Sequence, residues 1–488
     1  MEPIGTITMY FPFLDSKTKG IIENIMHGAY NYYDFVQCLN QRVLDEETTD
    51  LTVFFAVHHA AILFDFQWLK KAIKKYAELN IILPNIFIAS AFQGHGEDLQ
   101  RAREAADIVL DSNPPKWLAL EMYISRLEAE VLGYPTQLDD RSTIDSIEEI
   151  MEKNPELRFY ESRVYGNLSY RADNEGDKEL ALNYIEKAIS NAEVHNDLNR
   201  LARLLRSKAR HLQAVDLKQS ADLLERARGM FESMGDKDGL ADASFQLSKI
   251  EAIRGEYDQA IEHILEVIAI RESLGRPIGP YAMTLSTIYN AIDCPTEGIE
   301  WALMAQEDLQ PLHRPRAILN QAWSLILQRK LTEAFMVLDS IRKSILKSGL
   351  EYQLAALYLI NGVLDMVEGN HSGAAVSLEE SLEIYERQKS MMSAHICSHY
   401  LARNEFLSVD SLEPLKGVGP WLTLLEERAI SEDLPGILAQ ALILKSQLFM
   451  VLNNQEEFNT AIQEAAILVE SANLTYLKDK VSKLLESA

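Results

Sequence analysis

The chain is 488 residues long and carries 73 acidic against 47 basic side chains, a formal charge of -26. That balance repels phosphate backbones and anionic lipid, which argues against general nucleic-acid or membrane-surface binding. Only 15 prolines and 22 glycines occur, and no Gly-Ser-Pro tract marks a linker, so helix is favoured over strand.

Residues 1–15 read as an extended arm with a short strand at 4–10, and they lack the basic start and apolar core of a signal peptide. Periodicity then predicts helices at 16–32, 33–44, 51–63, 66–79 and 85–92, with N-caps from Asp15 or Ser16 and from Thr48, Thr49 or Asp50. The apolar run 51–64 is too short to span a membrane. It holds His58 and His59, which as chain neighbours face apart, so at most one is expected to be buried. This aromatic block, 1–97, is either a separate helical domain or a set of decayed repeats. A divergent segment, 98–157, follows, with helices at 98–110, at 117–132 behind Pro114 and Pro115, and at 142–153 with Ser142 or Thr143 as cap. Cys38, Cys294 and Cys397 are far apart without ligand spacing, as in a reducing compartment, and the chain reads as cytoplasmic.

From 158 a period emerges. The stretch QLSKIEAIRGEYDQAIEHILEVIAIR (246–271) is two amphipathic patterns around a break at Gly255 and Glu256. Small residues early in each second helix recur at Ala181, Ser220, Ala260, Gly298, Ala334 and Ala374, spaced 36 to 40 apart. About twelve residues earlier lie Ser169, Ala209, Ser248, Ser286, Ala322 and Gly362, where the paired helices would cross closely. Two helices per unit at that period mean an all-α solenoid of stacked hairpins. The segments NEGDKELALNYIEKAI (174–189) and RGEYDQAIEHILEVI (254–268) resemble the tetratricopeptide repeat family in its long-repeat form. The resemblance covers 158–389 and implies a right-handed superhelix. Beyond it, 390–488 reads as divergent repeats, with helices at 393–407, 419–430, 433–452 and 456–472 and a capping helix at 475–486.

Nothing in the sequence carries a reaction. No phosphate loop, HExxH or GxSxG occurs, and the glycine pairs at 94 and 96 and at 417 and 419 lack the third glycine of a dinucleotide site. His395 and His399 share a helix face without a third ligand and read as ordinary histidines. The acidic pairs Glu46 and Glu47, Glu148 and Glu149, and Glu426 and Glu427 fall on solvated faces. No catalytic residue, cofactor or metal is called for, and the chain is not expected to be an enzyme.

The candidate site lies on the first helices, which line the inner wall when the second helices pack outward. Residues facing that groove include Arg163, Asn167 and Tyr170, then Arg203, Arg206 and Arg210, then Phe245 and Lys249. The three arginines form one stripe at spacings of three and four. Such a stripe suits an acidic peptide segment or a chain terminus, as does the Lys, Arg and Asn clamp of related repeats, of which Asn167 matches the amide and the lysine pair is missing. The alternative is that neighbouring Glu and Asp offset these arginines internally. Farther on, Met283, Leu319, Trp323, Leu359 and Val363 make an apolar stretch, open to a hydrophobic peptide or covered by block 1–97 or a second subunit, with covering favoured.

The chain thus reads as a scaffold binding a protein or peptide in its groove. Its alternative is a sensor whose repeats bind a peptide or ligand and control block 1–97. A DNA-binding version would use WLKKAIKK (68–75), but its surroundings are acidic.

Overall fold

The computed structural model describes residues 9, 11–45, 48–63, 65–76, 78–91, 97–133, 141–213, 215–408 and 419–486. Among these the secondary structure is helical throughout, without a strand. The strand expected at 4–10, the glycines at 94, 96 and 417, and Glu46 and Glu47 lie outside the described residues, save Met9 at a turn. No described helix is long and apolar enough to cross a membrane. The chain divides into two compact units, Met1–Ala243 and Ser244–Ala488.

The first unit begins with α1 Ser16–Gly28, α2 Tyr32–Asp45, α3 Asp50–Ile62, α4 Phe66–Tyr76, α5 Leu83–Ala91, α6 Asp98–Asp111, α7 Lys116–Leu132 and α8 Arg141–Lys153. Two hairpins follow, α9 Glu161–Asn174 with α10 Lys178–Val194 and α11 Leu198–Leu212 with α12 Leu217–Met234, and α13 Lys237–Arg254 carries the boundary between units. Short polar side chains start many of these helices. Asp15, Thr49, Asp177, Asp197 and Asp216 each accept from a backbone N–H in the first turn. The aromatic block is not set apart: Phe35, Phe54 and Phe55 belong to the same buried core as Leu201, Leu205 and Phe231. Residues 52–60 of α3 are all buried, so the helix is enclosed on every side. His58 and His59 are therefore both buried, at 4% and 1% exposure, which corrects the expectation of at most one. Each has its own partner, Nδ1 of His59 with the Tyr32 hydroxyl at 2.7 Å and Nδ1 of His58 with Oδ1 of Asn85 at 3.3 Å.

The second unit continues with α14 Tyr257–Ser273, α15 Gly279–Ala291, α16 Pro295–Asp308, α17 Arg314–Leu327, α18 Leu331–Ser348, α19 Glu351–Glu368 and α20 His371–Arg387. It ends with α21 Met391–Leu407, α22 Pro420–Ser431, α23 Pro435–Val451, α24 Gln455–Ser471 and α25 Thr475–Glu486. The small residues at the expected crossings are buried, and several link their helices. The hydroxyls of Ser169, Ser220 and Ser286 donate to the carbonyls of Ala181, Ala209 and Gly298 at 2.7–2.8 Å. Where the crossing residue is Gly362, an added Cβ would sit 2.6 Å from Leu378 Cγ.

The apolar stretch of this unit is covered, but by neither predicted agent. Leu319, Trp323, Leu359 and Val363 are at most 3% exposed. They share a core with Ala394, Ile396, Tyr400 and Leu401 of α21, and the Trp323 indole N–H donates to the Tyr400 hydroxyl at 3.2 Å. The chain's own later helices fill the place assigned to block 1–97 or a second subunit. Farther on, the Tyr476 hydroxyl at the start of α25 donates to the Gly255 carbonyl at 2.9 Å.

Candidate functional site

The helix α11 reads LNRLARLLRSKARHL, and its pattern divides it lengthwise. Leu201, Ala202, Leu205 and Ala209 go into the core, while Arg200, Arg203, Arg206 and Arg210 lie along the other side. That side faces a cavity of about 380 Å³ within the first unit. Arg163, Asn167 and Tyr170 of α9 line the same space, so six of the eight predicted residues converge there. The facing wall comes from α3 and α5, through Ile62, His58, Asn85 and Ile88, and from Glu128, Val131 and Leu132 of α7.

The arginines are not an open stripe. Arg203 donates to Asp236 at 2.9 Å and also to the Ile62 carbonyl. Arg206 donates to Asp242 at 2.8 Å, and Arg210 lies 3.9 Å from Asp173. Arg163, only 6% exposed, reaches Glu121 at 2.5 Å and Glu128 at 3.1 Å. The amide of Asn167 donates to the same Glu128 at 3.5 Å, and the Tyr170 ring lies under the Arg210 guanidinium. Internal offset by the protein's own carboxylates, the alternative weighed above, is what these distances describe. Burial, aided by the neighbouring charge of Arg203 and opposed by the attraction of Asp242, holds the pKa of Arg206 below its usual value.

Phe245 and Lys249 do not join them. Both lie in the second unit, where the Lys249 ammonium sits 4.3 Å from the Phe245 ring centroid and Phe245 meets Tyr281 edge-on. The lysines of WLKKAIKK are exposed on α4, but Lys75 caps the end of α2 through the Val43 and Leu44 carbonyls. His395 is buried and bonded to the Ile253 carbonyl at 3.0 Å, and burial holds His399 down to about 3. Among the described residues no group of three His, Cys, Asp or Glu is placed to hold a metal.

No family model matches the chain, and no curated protein matches it either. Among solved structures, the apo form of RapI is 13% identical, with a TM-score of 0.52, over 69% of this chain and all of that one. The apo quorum sensor NprR from B. thuringiensis is 12% identical with a TM-score of 0.38, covering 81% of this chain and 99% of that one. A Rap protein complexed with competence and sporulation factor is 13% identical at 0.33, over 82% and 99%. The fold is a tetratricopeptide-type helical repeat.

On that repeat fold, Arg200, His58 and Asn85 are among the lining residues that escaped the sequence reading. Arg200 stands three residues before Arg203, so the stripe of α11 extends one turn farther than was counted. His58 and Asn85 come from the block with no alignable repeat, and nothing in their local sequence points to the cavity.

Proposed function

We propose that the protein is a non-catalytic repeat protein of the cytoplasm that takes a peptide, or an exposed segment of another protein, into the cavity of its first unit. The observation that carries this reading is the convergence of Arg163, Asn167, Tyr170, Arg203, Arg206 and Arg210 on one cavity of about 380 Å³. A space of that size with an apolar wall and a few polar groups suits a short ligand. Because carboxylates of the protein already face Arg203, Arg206 and Arg210, a strongly acidic partner is not required. The sensor reading has support of its own. Helices α3 and α5 of block 1–97 supply one wall, so an occupant touches that block directly.

The test is peptide display on the full chain, with the selected binders then measured on Ser207→Trp and Ala61→Phe. Both residues line the cavity, and filling it should weaken binding more than tenfold while the helical circular-dichroism signal is retained. Binders indifferent to both changes would refute the reading.

A further inference from the structure

Four of the five arginines lining the cavity lie within ion-pair distance of a carboxylate, and the fifth, among the described residues, does not. The Arg200 guanidinium forms no hydrogen bond or ion pair among the described residues. The two carboxylates nearest in effect are already engaged. Asp197 caps α11 by accepting the backbone N–H of Arg200 itself, and Glu128 is held by Arg163 and Asn167. Burial, and then the charge of Arg163, disfavours the protonated form of Arg200.

A second donor in the same cavity is also unmatched. Asn85 is 6% exposed, its Oδ1 is taken by His58 Nδ1, and its Nδ2 has no hydrogen-bond partner among the described residues. Buried N–H groups are ordinarily satisfied, because leaving one bare is costly. His58 does not compete as a cation, since burial first and Arg163 next hold its pKa down to about 3. Two residues that line the cavity therefore carry unmatched donors, the charged Arg200 and the Asn85 amide, whose Nδ2 is itself enclosed, beside an aliphatic wall of Ile62, Ile88, Val131 and Leu132.

We propose that the cavity seats a single oxyanion, a carboxylate or phosphate, held by Arg200 and Asn85, with an aliphatic body of the same ligand against the wall. This rests on the cavity being the binding site, and it names the group that the ligand brings. Guanidinium and amide donors together match the oxygens of such an anion, and charge assistance makes those bonds the strong ones.

The experiment uses the full chain at low salt with three probes: N-acetyl-leucine, N-acetyl-leucinamide and inorganic phosphate. N-acetyl-leucine should raise the melting temperature and its amide should not. Arg200→Gln should weaken the titrated affinity at least tenfold with the circular-dichroism spectrum unchanged. Stabilisation by phosphate instead, lost in the same variant, would assign the seat to a phosphate. Asn85→Asp keeps the acceptor for His58 and supplies an internal carboxylate. It should raise the melting temperature of the unliganded protein and abolish the response to N-acetyl-leucine. The proposal is overturned if neither acid nor phosphate binds, if binding is indifferent to Arg200→Gln, or if Asn85→Asp melts lower and still binds. Display peptides blocked by Ser207→Trp yet insensitive to Arg200→Gln would leave the binding function standing and remove the oxyanion seat. Seating of N-acetyl-leucine without any cavity-directed display peptide would do the reverse.

Discussion

Arg206 of α11 donates to Asp242 of α13 at 2.8 Å, across one repeat. The two side chains are 22% and 39% exposed, so the pair is neither buried nor freely solvated. Its place along an arginine stripe means that removing the carboxylate leaves like charges beside one another.

Arg206→Glu puts a second carboxylate against Asp242. Partly exposed pairs contribute about 1 kcal/mol and buried ones several, so a loss of roughly 1–3 kcal/mol is expected in urea unfolding. The swap Arg206→Glu with Asp242→Arg should recover at least half of it. Equal stability of the single variant and the wild type would show that the pair is not formed in solution.

Ala260, fully buried at the head of α14, is one of the small residues on which the repeat spacing was built. Ala260→Leu adds three carbons at a helix crossing and should cost roughly 1–3 kcal/mol. Exposed Leu265 on the same helix provides the control, since Leu265→Ala should change the thermal melt little. A melt insensitive to Ala260→Leu would mean that the repeat register is misplaced.

The repeats were legible because each hairpin is a local event. The small residues, the N-cap aspartates and the turn at Gly255 all act within about forty residues. The cover over Trp323 was not legible, because Tyr400 lies 77 residues along the chain and belongs to a divergent segment. The partners of the arginine stripe lay between these cases. Asp236 and Asp242 are 33 and 36 residues beyond Arg203 and Arg206, about one repeat on, but which acidic side chain of the next hairpin turns back is set by packing. Arg200 carried a usable signal in its spacing, whereas Asn85 and His58 carried none.

Acid should loosen the second unit through His399, whose pKa burial, with Arg403, holds at about 3. Unfolded, it titrates near the ordinary histidine value of 6.5. The unfolded chain thus binds the proton first. Stability from neutral His399 is whole above pH 6.5 and is lost as pH falls toward 3, by about 1.4 kcal/mol per pH unit. Between pH 7 and pH 4.5 the wild type should lose roughly 3 kcal/mol more than His399→Phe. Parallel pH profiles for the two proteins would show that the folded protein accepts the proton.

Gly436 gives the sharpest contrast between helix propensity and packing. It is the second residue of α23, and by propensity alone an alanine in a helix is preferred to glycine by about 0.5–1 kcal/mol. Within the second unit, however, the backbone at Gly436 lies directly against Gly255, and a Cβ built on Gly436 would press into the Gly255 carbonyl and Cα. The contact is held shut by the Tyr476 hydroxyl, which donates to that same carbonyl at 2.9 Å and accepts from Gln440 at 2.8 Å. Gly255 is constrained from its own side. Its φ is +75°, and a Cβ there would come 2.6 Å from the Ile437 nitrogen, so alanine adds left-handed strain to the clash. Gly436→Ala should therefore destabilise by roughly 1–3 kcal/mol where propensity alone predicts a gain, and Gly255→Ala should cost at least as much. Once either methyl has pushed the two backbones apart, the second has less to disturb, so the double variant should lose clearly less than the sum. Urea unfolding of the three variants tests this by sign as well as size. A stabilised Gly436→Ala, or strict additivity, would show that α23 does not rest against the turn at Gly255.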